Sequence, residues 1–90
     1  MSRFNVRPEV KAQHLAQRLD QLNSEGWAHE LNLATAEALP EGPERDNAIA
    51  NAESAINTIV DAIAVVEAQI PVVEAQLAEQ AVEQAPVEQA

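Results

Sequence analysis

The sequence predicts an all-α protein: an antiparallel helical hairpin whose second helix carries a long heptad seam and associates with further helices. Three observations carry this. From residue 49 onward, apolar side chains recur at Ile49, Ala52, Ile56, Ile59, Ile63, Val66, Ile70, Val73 and Leu77. The steps alternate between three and four residues without a miss, as in a helix that buries one stripe against other helices. The run Leu39-Pro40-Glu41-Gly42-Pro43 then divides the chain into two segments of similar length. Finally, Phe4 and Trp27 are the only aromatic residues and there are only two glycines. An apolar content of Ala, Leu, Ile and Val suits closely packed helices and suits β-sandwiches or ligand pockets poorly.

Residues 1–7 form a basic arm in which Arg3 and Arg7 flank Phe4. It reads as a frayed terminus or as a docking segment, with Phe4 filling a pocket and the arginines pairing with acids of a partner. Residues 8–39 form the first helical region. Asn5, Pro8 and Glu9 provide a start signal, since proline is tolerated in a first turn and an acid suits the positive end of the helix dipole. Ala12, Leu15, Leu19 and Leu22 then share one face. Beyond Gly26 a stripe resumes as Trp27, Leu31, Ala34 and Ala38. Glycine could end the first helix, so a break or kink near Gly26 and a three-helix arrangement are expected alongside the plain hairpin. Trp27 reads as a packing anchor over the bundle end or as a partner-facing contact.

Residues 40–42 are the turn. Pro43 fits the first position of the next helix, and Glu44 and Asp46 suit its first turn. The heptad helix is expected over 43–80. At its centre, Ala62-Ile63-Ala64-Val65-Val66 is apolar on nearly every side, and a helix apolar all round is buried by more than one neighbour. Val65 to Ile70 is echoed by Val72 to Leu77, with Pro71 between the two copies at an outward position. A proline inside a helix removes one hydrogen bond and clashes with the carbonyl four residues back. The unbroken spacing predicts a helix that continues past Pro71 with a kink. Residues 81–90 are an acidic, Gln/Ala-rich tail of low complexity, expected to be disordered or transiently helical by itself.

Ninety residues without a cysteine make at most one small domain that no disulfide can staple. Chains this short bury only about 60% of their unfolded surface, so association is the expected source of further stability. A homo-oligomer or a protein partner follows as the expectation.

The net charge is −10, and it is segregated. Residues 1–24 carry Arg3, Arg7, Lys11 and Arg18 against Glu9 and Asp20, while residues 25–90 carry Arg45 alone against thirteen acids. That balance disfavours nucleic-acid binding and adhesion to anionic membranes. Without an uninterrupted 18-residue apolar run or a secretory leader pattern, a cytoplasmic location is expected, or incorporation into a particle assembled in the cytoplasm.

No catalytic constellation is apparent. The glycines form no phosphate loop, the serines sit in no nucleophile motif, and His14 and His29 lie fifteen residues apart. No enzymatic activity, metal or cofactor is expected. Two readings of function remain. The first is a helical assembly or adaptor protein, resembling in size and composition, though in no motif, accessory or scaffold subunits of phage virions and other particles. The second is a small acidic antagonist that imitates nucleic-acid phosphates and blocks a basic groove. The acids of residues 53–88 stand four to eight apart, much sparser than duplex phosphates, which favours the first.

Overall fold

The computed structural model describes residues 3–84, of which 88% are helical with no strand among them. Two helices pack against each other: α1 (Pro8–Glu37) and α2 (Pro43–Gln84). Lys11 Nζ donates a 3.1 Å hydrogen bond to Gln76 Oε1, and Gly26 faces Ile59. Early residues of α1 thus meet late residues of α2, which makes the pair antiparallel.

The boundaries follow from the residues. α1 opens on Pro8, and the Arg7 carbonyl accepts from both Val10 and Lys11 at 3.0 Å. It closes at Glu37 with Ala38 as its cap, since Pro40 biases Leu39 away from helical geometry. Gly42 has φ +153°, open to glycine and strained for other residues, and its carbonyl accepts from Asp46 N at 3.1 Å to start α2.

α1 does not break at Gly26, and the three-helix alternative is corrected to two continuous helices. Glycine lacks a side chain but keeps its N–H, so helix interiors tolerate it at about 1 kcal/mol. The space it vacates is used: a Cβ at Gly26 would stand 3.3 Å from Ile59 Cγ2. The inward row of α1 runs straight on through Ala12, Leu15, Leu19, Leu22, Gly26, His29, Leu33 and Ala36, each buried or half-buried. The Trp27, Leu31, Ala34, Ala38 stripe therefore lies on the outside, with Trp27 64% and Leu31 53% exposed. Trp27 is not an anchor of the hairpin core.

In α2 all nine residues of the 49–77 row are buried or half-buried. Pro71 lies inside the helix with its ring exposed. α2 runs on to Gln84, four residues past the expected end. Residues 81–84 (Ala-Val-Glu-Gln) contain no breaker, and Ala, Glu and Gln are good helix formers. The rest of the predicted tail, 85–90, lies outside the described residues.

The hairpin measures 74 × 24 × 14 Å, a single layer of two helices. One layer cannot enclose its own seam. Among the described residues, only Leu22, Ala36, Ala52, Ile59 and Val73 form a buried core.

Candidate interaction surface

A helix turns twice in seven residues, so positions seven apart share a side. This sorts the hairpin into two faces. One carries Ala16, Asn23 and Glu30 from α1 with Glu53, Val60, Glu67 and Glu74 from α2. The other carries Lys11, Arg18 and Glu25 with Ala48, Ala55, Ala62, Gln69 and Gln76.

The Val60 face bears two shallow apolar grooves, end to end. The first, about 280 Å³, lies between Ala12, Ala16 and Leu19 on α1 and Ile70, Glu74 and Leu77 on α2. The second, about 330 Å³, runs between Gly26, Trp27 and Glu30 and Ile56, Val60 and Ile63. Gly26 supplies no side chain to fill that stretch, and Trp27 walls one side of it. Val60 is 56% exposed.

The opposite face differs. Its groove lies between Lys11, His14 and Leu15 and Gln69, Val72 and Gln76, with Phe4 and Val6 of the arm at its edge. The arm thus lies against its own hairpin, although Phe4 is 75% exposed. Arg3 and Arg7 are exposed as well. Of the candidate partner contacts, Phe4 stands by this face and Trp27 by the Val60 face; the structure does not bring them together. The basic start of α1 does lie beside the far end of α2, but Lys11 bonds the neutral amide of Gln76.

The charge distribution is as uneven as the shape. On the Val60 face, the flanking positions of both helices hold Glu9, Asp20, Glu30, Glu37, Asp46, Glu53, Glu67 and Glu74, and no Lys, Arg or His, while His29 and Arg45 stand in the inward rows. Lys11, His14 and Arg18 are all on the other side. Arg45 Nε and Gln80 Oε1, near opposite ends of α2, are buried without a hydrogen-bond partner. Such orphaned groups are uncommon in finished interiors.

No group of three or more metal-ligating side chains forms among the described residues. His14 is exposed beside Leu15 and Gln76, whereas His29 sits in the inward row of α1. By length and composition, α2 also qualifies as a helix able to cross a membrane, since its Pro43–Val82 stretch reaches a mean hydropathy of 1.6 over eighteen residues. Interspersed acids made the run look too short in the sequence. Only 6% of that apolar window is buried within the hairpin.

No known protein family, characterised protein or solved structure matches this chain. Its surface therefore has to be read from its own chemistry. Sequence reasoning found the α2 row and the first half of its counterpart on α1, Ala12 to Leu22, and missed the second half, where a glycine and a histidine occupy inward positions. The available signal was the phase: the four-three steps from Leu15 pass through Gly26 and His29 without a slip.

Proposed function

We propose that this protein is a non-enzymatic assembly or adaptor protein that works through helix-to-helix contact, with copies of itself, with another protein, or as an accessory or scaffold subunit of a larger particle. One observation carries the reading: along the most apolar stretch of α2 only 6% of the residues are fully buried by the hairpin, and Val60, Val65 and Val72 stand 56%, 65% and 49% exposed. An uncovered apolar surface of this extent marks an interaction site. Lipid is the poorer cover, because every part of the stretch long enough to span a bilayer includes acids such as Asp61 and Glu67, and each costs about 2.5–3.5 kcal/mol at the bilayer centre.

The experiment is light scattering after size exclusion over a concentration series, paired with binding of an apolar fluorescent dye. Species larger than the 9.7 kDa chain, dispersed by Val60→Lys or Val65→Lys, support a homo-oligomer. A helical monomer that binds the dye supports an adaptor awaiting a different protein. A helical monomer that ignores the dye, and whose stability is unchanged by both substitutions together, overturns the proposal.

A further inference from the structure

We infer that the Val60 face receives a basic amphipathic helix from a partner protein, which lies along the trench between α1 and α2 and completes a three-helix layer. The inference rests on the assembly reading above and names the chemistry of the partner.

Shape gives the form of the occupant. The two grooves follow one another on this face, and their linings on α1 reach from Ala12 to Glu30, about 27 Å at 1.5 Å per residue. That is the length of a helix of about eighteen residues. A trench between two helices, apolar at its floor, is where a third helix seats its own apolar stripe. Gly26 and Trp27 both line the second groove, and Trp27 offers a flat ring at its rim, a residue type favoured as a binding anchor.

Charge gives the sign. Asp20, Glu30, Glu67 and Glu74 flank the trench along its length, four further acids continue the face beyond its ends, and no Lys or Arg flanks it. Glu30 and Glu74 line the grooves themselves. A helix with Leu or Ile on its inner stripe and Lys or Arg on its flanks would meet opposite charge along its whole length. A second copy docked face to face would set acids against acids, which costs affinity and encounter rate. The opposite face of a second copy offers only Lys11 and Arg18 as flanking cations, seven residues apart near one end of α1. Neither arrangement matches the acids along the trench.

The test uses the whole chain and two synthetic eighteen-residue helices with the same leucine stripe and no tryptophan, one flanked by lysine and one by glutamate. Trp27 is the only tryptophan, so its emission reports occupancy of the trench. The lysine peptide is expected to shift that emission to the blue and to bind at least about tenfold more tightly than the glutamate peptide, less so in high salt. Glu30→Lys with Glu74→Lys, both exposed in the hairpin, should reverse the preference while leaving helicity unchanged. Equal binding of both peptides, or a preference that survives the double reversal, overturns the inference. So does a protein whose Trp27 is already shielded by a second copy that neither peptide displaces. That last result leaves the assembly reading standing, whereas a monomer indifferent to both peptides and to the apolar dye removes both.

Discussion

Ile59 Cγ2 stands 3.3 Å from the point a Cβ on Gly26 would occupy, and this pairing fixes how closely α1 approaches α2. Ile59 belongs to the buried core, and Gly26 is the inward residue opposite it. The absent side chain lets the isoleucine pack against bare helix backbone. Gly26→Ala combines a propensity gain of about 1 kcal/mol with a contact that asks Ile59 to yield by a few tenths of an ångström. The expected change in unfolding free energy is within about 1 kcal/mol of zero. Gly26→Leu has no room and should cost about 1–3 kcal/mol through overpacking. Urea titration followed by circular dichroism separates the two. A harmless leucine would show that the helices do not meet as described.

Gly42 makes the opposite demand. Nothing lies within 4 Å of its Cβ position, so space is not the constraint; its φ of +153° is. Gly42→Ala should therefore destabilise the hairpin by about 1–3 kcal/mol through backbone strain alone. Thermal melts of the two alanine variants would thus diverge, although both replace glycine by the same residue. Equal melting temperatures would contradict the turn geometry.

How much was legible in the sequence follows from these two glycines. The Pro-Gly-Pro cluster announced the turn because proline and glycine restrict the backbone locally, and local constraints show in local sequence. The row from Ile49 to Leu77 was legible because large aliphatics mark every inward position. α1 was half legible. Its inward row reads Leu22, Gly26, His29, Leu33, and a glycine and a histidine carry no hydrophobic signal even when a neighbouring helix covers them. Trp27 and Leu31, more conspicuous, drew the stripe to the wrong side. The two-faced charge pattern was in the letters too. It emerged only when the phase of α1 was known, because a face is shared by two helices and neither defines it alone.

Pro71 is carried inside α2 at a cost. It cannot donate to the Glu67 carbonyl, and proline is about 3 kcal/mol less favourable than alanine in a helix interior. Its ring is exposed, so little packing is lost on removal. Pro71→Ala is expected to stabilise the protein by about 1–3 kcal/mol, at about 4–8 °C in Tm for each. Calorimetry checks this. An unchanged or lower Tm would mean that proline at this position helps to keep Val72, Val73 and Leu77 against α1.

Leu22 and Trp27 separate folding from contact. Leu22 is 1% exposed, and Leu22→Ala should cost about 2–5 kcal/mol through lost burial and a residual cavity. Trp27 is larger but 64% exposed, so Trp27→Ala should change the stability of the isolated hairpin by less than about 1 kcal/mol. Chemical denaturation measured at low protein concentration gives both values. A large loss from Trp27→Ala there would place the indole in a core that the hairpin does not have.

Ile63 and Val60, three residues apart on α2, distinguish what holds the hairpin together from what it offers to others. Ile63 lies in the inward row, half-buried, beside Gly26 and Trp27; Val60 stands on the rim of the same groove, mostly in solvent. Ile63→Asp places a carboxylate between the helices with no cation on that face to pair with it. The desolvation cost of an unpaired charge, added to the lost aliphatic contact, should destabilise the hairpin by about 2–4 kcal/mol and lower its helicity. Val60→Asp keeps its carboxylate in water while the hairpin is alone, so helicity and melting should hold within about 0.5 kcal/mol. Any complex formed through this face should nevertheless weaken, because docking would bury the same carboxylate. Circular dichroism and light scattering on the two variants form a two-by-two comparison: Ile63→Asp is expected to lose both fold and association, Val60→Asp association alone. If Val60→Asp unfolds the chain as readily as Ile63→Asp, the trench is an interior that the hairpin already closes. If both leave association intact, the contact lies on the Ala62 face instead.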